Sequence, residues 1–340
     1  MAARPTSAGP VLVYMPDRGV GDLMWHLPTI RAIAARTAGG KVVLATRPTT
    51  RAAAVLAVEP AIECVVYLEY RKGTFKQLAE TADFYRLCRS LRPRAVWILE
   101  KIGRPAQAAF FARVPERYGF GLGHASQERW LSRGSRLPRS MRPAHRIEKL
   151  AAFEQLHGLE VKSREPALRV APEQVMAMSQ RFAVRPKLWI ILGPGAVDAE
   201  RRWPLGNFAA LADELEEAGA VFWLGGGAEE EARFTEAMKA LKQPQKNVLS
   251  CDLPLDEAAA LISQSALFVG NDSGLMNVAA SVGIPTIGLY GPSQPLTYSK
   301  WLSAVVSPSG SIADISVEEV LAEVRRRLTP ARTARSTGPS

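Results

Sequence analysis

The 340-residue sequence contains only three cysteines, Cys64, Cys88 and Cys251, and they lie far apart. This spacing excludes a disulfide framework and the paired-cysteine pattern of a structural zinc site. Few, isolated cysteines are typical of proteins from a reducing compartment, so we expect a cytoplasmic protein.

The sequence also lacks a long uninterrupted hydrophobic segment. Its N-terminal apolar run, residues 11–15, is too short for the core of a signal peptide. Residues 273–299 carry no charged side chain, but four glycines and three prolines interrupt them. Because such a segment is a poor membrane-spanning helix, we expect a soluble or peripheral protein.

Three patterns that would assign a function are missing. No Asp-x-Asp pair occurs, so the usual carboxylate pair for a divalent metal is absent and we expect no metal site. Gly19 and Gly21 resemble a dinucleotide fingerprint, but no third glycine follows, which speaks against an NAD-dependent oxidoreductase. No nucleic-acid-binding motif is present, so nucleic acid is not an expected partner.

Positive charge is concentrated in the first half of the chain. The net charge is +10, and residues 1–160 hold 25 Lys and Arg against 13 Asp and Glu, whereas residues 161–340 hold 18 against 20. The first half is therefore the part expected to meet an acidic partner. Part of the excess lies in a predicted long basic loop with arginines at 129, 133, 136, 139, 142 and 146. That loop is either a solvated face or a clamp for phosphate and carboxylate groups, with which arginine forms bidentate pairs.

The length and the alternation of strand and helix patterns predict two α/β domains. A chain of this length exceeds the usual size of a single core. Strands and helices alternate over residues 11–99 and again over 188–292, the βαβ rhythm of a doubly wound parallel sheet. The predicted boundaries are domains at 1–160 and 187–328, a linker at 161–186 and a disordered tail at 329–340. The last helix, residues 317–328, could pack back on the first domain.

The loop after the first predicted strand carries the candidate catalytic group of the first domain. Gly19 and Gly21 let the backbone approach a ligand closely, and Asp22 lies at the carboxyl edge of the strand, where open α/β sheets bind ligands. A carboxylate there can act as a base. Alternatively, Asp22 caps the next helix, which we predict over residues 28–37.

The stretch FVGNDSGLMNVAASVGIPTIGLYGP, residues 268–292, reads as a strand, a polar turn, a small-residue helix and a second strand. The turn from Asn271 to Gly274 precedes a helix from about Leu275. Because unpaired N–H groups and a partial positive charge gather at a helix N-terminus, this turn is a candidate phosphate site. The alternative is a simple helix cap by Asp272 or Ser273.

Two more glycine turns follow strands of the second domain. The first, at residues 193–195, is followed by Arg201 and Arg202, which could hold a phosphate. The second, which includes Gly225 and Gly226, could let a nucleotide lie against the backbone, or it could be an ordinary strand-to-helix turn.

Three segments together resemble glycosyltransferase family 9, the ADP-heptose:lipopolysaccharide heptosyltransferases. They are VLVYMPDRGVGDLMWHLPTIRAI, GPGAVDAERRWPLGNFAALA and NDSGLMNVAASVGIPTIGLYGPSQP, and in order and spacing they span nearly the whole chain. The resemblance implies a GT-B fold, in which two Rossmann-like domains face each other across a central cleft. It also implies an acceptor site in the first domain, a nucleotide-sugar site in the second, and an inverting single displacement without a cofactor.

The resemblance also implies roles for particular residues. Asp22 would be the general base that removes the proton from the acceptor hydroxyl. Arg201 stands where relatives carry a phosphate-binding lysine, and residues 272–275 match the donor-phosphate loop. Asn277 stands where relatives commonly carry histidine; it can donate a hydrogen bond but cannot become cationic, which leaves the rate or the donor sugar open.

The predicted site falls into a donor set and an acceptor set. The donor set is Gly193, Pro194, Gly195, Arg201, Arg202, Gly225, Gly226, Asp272, Ser273, Gly274, Leu275 and Asn277. The acceptor set is Arg18, Gly19, Gly21, Arg129, Arg133, Arg136, Arg139 and Arg142. The expected partners are a nucleotide sugar and an acidic glycolipid at the cytoplasmic face of the inner membrane. The alternatives are a GT-B enzyme that uses another nucleotide sugar for a different surface glycan, and a non-catalytic relative.

Overall fold

The computed structural model describes residues 9–69, 74–132, 134–183, 188–225, 228–239, 248–295 and 298–335. The chain divides into two compact units, Met1–Pro166 and Ala167–Ser340. The division falls inside the predicted linker, which is therefore shared between the two units instead of standing apart from them. Each unit contains a wholly parallel sheet, as the alternating pattern predicts.

The first unit holds a five-stranded sheet in the order β3-β2-β1-β4-β5. Its strands are β1 Val11–Tyr14, β2 Val42–Thr46, β3 Ile62–Tyr67, β4 Ala95–Ile98 and β5 Glu116–Gly119. Its helices are α1 Val20–Ala34, α2 Ala52–Val55, α3 Thr74–Leu91, α4 Gly103–Phe111, α5 Ala125–Glu128 and α6 Arg146–His157. The central strands are buried on both faces, so they consist of continuous apolar residues.

The second unit holds a six-stranded sheet in the order β11-β10-β9-β6-β7-β8. Its strands are β6 Trp189–Gly193, β7 Ala220–Gly225, β8 Val248–Asp252, β9 Leu267–Asn271, β10 Thr286–Tyr290 and β11 Leu302–Val306. Its helices are α7 Pro172–Arg181, α8 Leu205–Leu215, α9 Ala228–Met238, α10 Leu255–Ser263, α11 Gly274–Val282 and α12 Val317–Arg335. Trp203 is fully buried in the core of this unit, and its indole N–H donates to the carbonyl of Ile315 at 2.8 Å.

Both sheets share one strand order when each is counted from its own first strand, namely 3-2-1-4-5, with a sixth strand added in the second unit. In this order the chain reverses direction across the sheet between the first and fourth strands. Loops that leave the carboxyl ends of these two strands diverge and form a crevice, where ligands bind in open α/β sheets. The crevice lies beyond β1 and β4 in the first unit and beyond β6 and β9 in the second.

The predictions for three elements are corrected. Helix α1 begins at Val20, so Asp22 lies in its first turn and Pro28 in its interior. The predicted linker contains helix α7, whose Gln174 side chain donates to Asp256 of α10 at 2.6 Å. Helix α12 ends at Arg335 instead of residue 328 and belongs to the second unit, where it packs against α8.

Among the described residues, no helix is long and apolar enough to cross a membrane.

Candidate functional site

Asp22 lies in the first turn of α1, directly beyond the carboxyl end of β1. Its Oδ2 accepts a hydrogen bond from the backbone N–H of Gly19 at 3.2 Å. A Cβ atom on Gly19 would lie 2.9 Å from that oxygen, so glycine permits this approach. The predicted capping role of Asp22 is therefore present in the structure, and it fixes the orientation of the carboxylate.

Arg146, the first residue of α6, joins three carboxylates from three different elements. Its guanidinium pairs closely with Asp17 and lies 3.3 Å from Oδ1 of Asp22 and 3.2 Å from Oε2 of Glu100. Asp17 follows β1 and Glu100 follows β4, so the cluster occupies the crevice that the strand order creates. Three carboxylates share one guanidinium here, which leaves negative charge in excess.

His26 lies one turn beyond Asp22 on α1 and is completely buried. Its Nδ1 lies 2.7 Å from the backbone carbonyl oxygen of Asp22, which can only accept, so Nδ1 carries the proton. Its Nε2 faces Oδ2 of Asp17 at 4.0 Å. Within the described part of the chain, neither of these two buried atoms has a hydrogen-bond partner. His26 therefore borders the carboxylate cluster from the interior of the unit.

The pKa of the Asp22 carboxyl is raised above its ordinary value. Burial is the largest cause, and the negative charge of Asp17 adds to it. Arg146, His26 and the N–H of Gly19 act in the opposite direction without cancelling the rise. A carboxylate with a raised pKa holds an abstracted proton more strongly, which suits a general base.

The second cluster surrounds the N-terminus of α11 in the second unit. Ser273 is the N-cap residue, and its hydroxyl accepts from the N–H of Met276 at 3.5 Å. The capping alternative is thus correct for Ser273. It leaves the other first-turn N–H groups and the helix dipole directed at the crevice beyond β9, so the same turn still suits an anion.

Arg201 reaches this turn from the segment before α8. Its guanidinium lies 3.3 Å from Oδ2 of Asp272 and 2.9 Å from Oδ2 of Asp198. The structure thus brings together the predicted residues Arg201, Asp272, Ser273, Gly274 and Leu275. It adds Asp198, which the sequence analysis does not single out.

Asn271 ties three loops of the second unit together. It is fully buried; its amide nitrogen donates to the carbonyl of Pro194 at 2.7 Å, and its amide oxygen accepts from the N–H of Trp203 at 3.0 Å. The residue before Asp272 is therefore a structural anchor. It fixes the position of the turn relative to the loop after β6 and the start of α8.

Several predicted donor residues have their contacts within the protein. Arg202 donates to the carbonyls of Ala196 and Val197, at 2.7 and 3.2 Å, in its own loop. A Cβ on Gly193 would lie 2.4 Å from the ring of Phe268, so this glycine is required by packing.

Two more of the predicted glycines, Gly195 and Gly225, also lie close to side chains. A Cβ on Gly195 would lie 2.7 Å from the Glu230 carboxylate, and one on Gly225 would lie 2.9 Å from the Phe234 ring. The simpler alternative, an ordinary strand-to-helix turn, agrees with this packing of Gly225. Gly226 lies outside the described residues.

Asn277 is buried in α11, and its amide is engaged at both ends. The nitrogen donates to the carbonyl of Ser273 at 2.9 Å, and the oxygen accepts from the hydroxyl of Tyr298 at 2.8 Å. Asn277 therefore braces the turn from Asn271 to Gly274 from inside the unit.

The predicted basic loop is not a continuous free loop. Arg142 donates to the carbonyl of Leu122 at 2.7 Å, and Arg136 lies 3.9 Å from Glu128. Arg139 is exposed in a short 3₁₀ turn, and Arg146 begins α6. The arginines of this segment are largely held in place by the protein, because the chain folds back on itself here.

The remaining predicted acceptor residues have mixed placements. Arg129 lies over the ring of Trp130, with its guanidinium carbon 5.6 Å from the centroid. Gly21 is buried in the first turn of α1, and Arg18 is exposed in the loop before it. Arg133 lies outside the described residues.

Asp17, Glu100, His26 and Arg146 were not predicted as site residues. Asp17 and Glu100 each follow a buried strand closely, and that position was a usable signal for a crevice residue. Arg146 was visible only as one of many arginines. Among the described residues, no group of three or more His, Cys, Asp or Glu side chains is arranged to hold a metal ion.

Solved structures with the same fold include bacterial glycosyltransferases. The family 9 glycosyl transferase of Veillonella parvula superposes with a TM-score of 0.80 at 18% identity, over 96% of this chain and 99% of that one. E. coli ADP-heptose lps heptosyltransferase II gives a TM-score of 0.75 at 23% identity, over 95% of this chain and 99% of that one. The predicted GT-B fold class is confirmed at the level of two parallel-sheet α/β units.

Sequence comparisons point to the same group. Lipopolysaccharide heptosyltransferase 2 of Salmonella typhimurium is 29% identical over 231 residues, which are 64% of this chain and 66% of that protein. The match thus spans just under two thirds of that relative. The model of glycosyltransferase family 9 (heptosyltransferase) matches residues 84–313, more than half of the chain. The chain therefore belongs to glycosyltransferase family 9, the heptosyltransferase family.

Proposed function

We propose that this protein transfers heptose from ADP-heptose to a lipopolysaccharide inner-core acceptor, with inversion at the anomeric carbon and Asp22 as the general base. The observation that carries the proposal is the carboxylate of Asp22. It lies at the crevice beyond β1, both of its oxygens are oriented by neighbouring groups, and its pKa is raised. Family membership supports the reaction class, and the E. coli relative is an ADP-heptose enzyme.

In the proposed reaction, one bond forms as another breaks. The acceptor hydroxyl oxygen attacks the anomeric carbon of the heptose, and the bond from that carbon to the diphosphate oxygen breaks. The hydroxyl proton passes to Asp22, and ADP leaves with the bonding electrons. A positioned base of this kind contributes roughly 10²- to 10⁴-fold in rate.

The second unit supplies the charge that the departing diphosphate needs. Arg201 and the first turn of α11 are the cationic and dipolar groups at the crevice beyond β9. Preorganised donors of this type stabilise developing negative charge without a metal ion or another cofactor. Because Asp198 and Asp272 pair with Arg201, the diphosphate must compete with these carboxylates for the guanidinium.

The acceptor in this proposal is an acidic glycolipid. The excess of Lys and Arg in residues 1–160 favours such a substrate, and the protein would work in the cytoplasm at the inner face of the membrane. Nucleic acid has no part in this function.

The test is the substitution Asp22→Asn. We expect transfer to fall by roughly 10²-fold or more, because the amide cannot take the proton, while binding of ADP stays unchanged. Transfer is measured by ADP release with ADP-heptose and a bare inner-core acceptor, and again with an acceptor that already carries one heptose.

Thermal stability supplies the folding control for Asp22→Asn. Because the folded state raises the pKa of this carboxyl, ionisation of Asp22 costs folding free energy above that pKa. The asparagine variant should therefore unfold at a temperature no lower than the wild type at neutral pH. Wild-type turnover in the variant would remove Asp22 from the reaction, and stabilisation by UDP or GDP in preference to ADP would change the proposed donor.

A further inference from the structure

An aromatic cluster lies on the surface of the first unit, away from the carboxylate cluster. Phe110 and Phe111 end helix α4 with 43% and 57% of their surface exposed, and both contact Trp130. The ring centroids of the three residues lie 5.1 to 5.5 Å apart. We call these three residues the aromatic patch. Phenylalanine side chains are usually buried, so two exposed ones beside the half-buried Trp130 indicate a contact surface.

Two arginines lie against the rings of the aromatic patch. The guanidinium carbon of Arg117 is 5.3 Å from the centroid of Phe110, and that of Arg129 is 5.6 Å from the centroid of Trp130. Arg117 also donates to the carbonyls of Val114 and Pro115, at 2.5 and 3.1 Å. Val114 and Pro115 also line a neighbouring cavity, so Arg117 lies between the patch and that cavity.

The neighbouring cavity has a volume of about 430 Å³. Its lining contains four arginines and no carboxylate. The lining residues are Cys88, Arg89, Arg92, Pro93, Arg94, Ala112, Arg113, Val114 and Pro115. A cavity with this lining is complementary to phosphate groups, since guanidinium pairs with them in a bidentate way. It adjoins the aromatic patch through Arg113, which follows Phe111 by two residues.

Three of these arginines are available for an outside partner. Arg89, Arg92 and Arg113 are exposed, and none of their side chains forms a hydrogen bond or an ion pair with the described part of the chain. Arg92 and Arg113 follow the ends of α3 and α4 in the left-handed backbone region, with φ of 49° and 62°. Glycine is the usual residue at such a position. Two helices thus end on the same cavity with an arginine where the backbone favours glycine.

We propose that the aromatic patch and the arginine cavity beside it form a surface that docks on an anionic lipid bilayer. Aromatic side chains are favoured among lipid head groups, and arginines around them pair with the lipid phosphates. Each arginine near an anionic surface strengthens association by roughly fivefold. The opposite charges of the arginines and the head groups select a lipid surface, because an apolar protein partner would leave the arginines unpaired.

This surface shares Arg129 with the predicted basic loop but lies mainly outside it. In that loop, Arg136 and Arg142 have partners within the protein. The three exposed arginines of the cavity lie at the ends of α3 and α4. The inference concerns where the protein attaches and holds for any sugar that it transfers.

The test is sedimentation of the full-length protein with vesicles. One set consists of phosphatidylcholine alone, and the other replaces about one third of the lipid by phosphatidylglycerol, which supplies anionic phosphate. We expect binding to the anionic set only, and weaker binding as salt rises, because exposed charges are screened. Addition of inorganic phosphate at constant ionic strength should not abolish binding, since a free ion cannot replace the aromatic contact.

Two double variants address the two halves of the surface. Phe110→Ser with Phe111→Ser, and Arg92→Glu with Arg113→Glu, should each weaken binding to anionic vesicles by roughly tenfold or more. The matched controls lie in the second unit: Met176→Ser changes a side chain that is 62% exposed, and Arg169→Glu reverses an exposed charge. Both controls should bind vesicles like the wild type.

Transfer to a delipidated acceptor in solution should be the same in all four variants, which separates this inference from the proposed function. Wild-type vesicle binding by either double variant would overturn the inference. So would equal binding to both sets of vesicles. Loss of a dimer in the Phe110 and Phe111 variant, without any vesicle binding by the wild type, would assign the patch to a second copy of this chain instead.

Discussion

Arg146 sets the electrostatic state of the carboxylate cluster. It is the cation that contacts Asp22 directly, and it also pairs with Asp17 and Glu100. Asp17 raises the pKa of Asp22, whereas Arg146 lowers it. These two neighbours therefore act on the same proton with opposite sign, and substitutions at the two positions should move the pH dependence of transfer in opposite directions.

Substitutions at Arg146 and Asp17 should displace the acidic side of the pH–rate profile. Arg146→Met removes a cation beside Asp22, so the pKa of Asp22 rises and activity is lost at a higher pH than in the wild type. Asp17→Asn removes an anion, so the pKa falls and activity persists to lower pH. We expect displacements of about one pH unit in kcat/KM, typical of one close charge.

The control for the pH measurement is Arg142→Met, which removes an arginine that donates to the carbonyls of Leu122 and Gly123. Its profile should keep the wild-type position. Other ionisable groups near the cluster include Glu100, His26, Lys101, Glu148 and Lys149, and they are unchanged in all three variants. Displacement in the same direction for Arg146→Met and Asp17→Asn would contradict the arrangement described for Asp22.

Some candidate residues were predictable from their position after a strand. Asp22 and the turn after β9 were proposed because the residues that follow parallel strands gather at one edge of the sheet, whereas Asp17 and Glu100 follow strands too and were overlooked. Arg146 was not found, because 129 residues separate it from Asp17, and only the tertiary fold brings them together. Arg202 was assigned to phosphate, but its guanidinium holds its own loop.

At the scale of elements, the turn from Asn271 to Gly274 depends on one amide. Asn271 holds the loop after β6 and the start of α8 against the end of β9 through two buried hydrogen bonds. Asn271→Ala would leave the N–H of Trp203 and the carbonyl of Pro194 unpaired in the interior. We expect a loss of about 2–4 kcal/mol in the free energy of unfolding, together with weaker binding of ADP.

Chemical denaturation and calorimetric titration with ADP check this expectation. Asn207→Ala, at a half-buried position of α8, is the control and should change the free energy of unfolding by less than about 1 kcal/mol. Unchanged ADP affinity in Asn271→Ala would show that the turn keeps its shape without the amide.

Helix α6 makes stability depend on pH through His157 in its last turn. The ring packs against Trp97, Tyr118 and Phe153, and burial, with a further contribution from Arg36, lowers the pKa of His157 to about 4. The unfolded chain binds this proton as the pH is lowered below about 6.5, whereas the folded chain binds it only near pH 4. The free energy of unfolding therefore decreases as the pH is lowered from about 6.5 to 4.

Between pH 6.5 and 4, the free energy of unfolding should change by about 1–2 kcal/mol less in His157→Gln than in the wild type. This difference is smaller than the full pKa shift would give, because the His157 ring is partly exposed. Denaturation at several pH values measures it. His145→Asn, an exposed position that keeps an acceptor at the N-cap of α6, should keep the wild-type slope. An equal slope in His157→Gln and the wild type would mean that another group titrates.

Most strands and long helices were predictable from the sequence, because buried strands of a doubly wound sheet are continuous apolar runs. The start of α1 was missed, since Pro28 suggested a first turn and Gly19 offers no side-chain cap. Strand β5 was missed because its sequence, ERYG, is short and polar. Its place in the sheet comes from pairing with β4, which sequence patterns do not reveal.

At the scale of the whole molecule, two sheets with the same strand order carry two different sets of charges. In the first unit, three carboxylates gather around one arginine at the crevice. In the second, an arginine and a helix N-terminus face the corresponding position. The arginine of the second crevice is itself held by two carboxylates, so the helix N-terminus is what distinguishes this crevice from the first. This difference agrees with the proposed base in the first unit and the proposed diphosphate site in the second.

This division predicts where ADP alone should act. In hydrogen exchange, ADP should slow the amides of residues 272–276 by roughly tenfold or more, because bound phosphate closes the first turn of α11. The amides of residues 20–23 in α1 should change less with ADP than with an acceptor. A larger effect of ADP on residues 20–23 than on 272–276 would place the nucleotide in the first unit instead.

The pairing of Arg201 with Asp198 and Asp272 has a consequence for selectivity among anions. A free phosphate or sulfate ion that approaches this guanidinium meets two carboxylates that already occupy it and repel the newcomer. Only a ligand that gains contacts elsewhere, through a nucleoside or a sugar, can offset that competition. We therefore expect inorganic phosphate at cellular concentrations to be a poor competitive inhibitor, so that the enzyme would keep working where that ion is abundant.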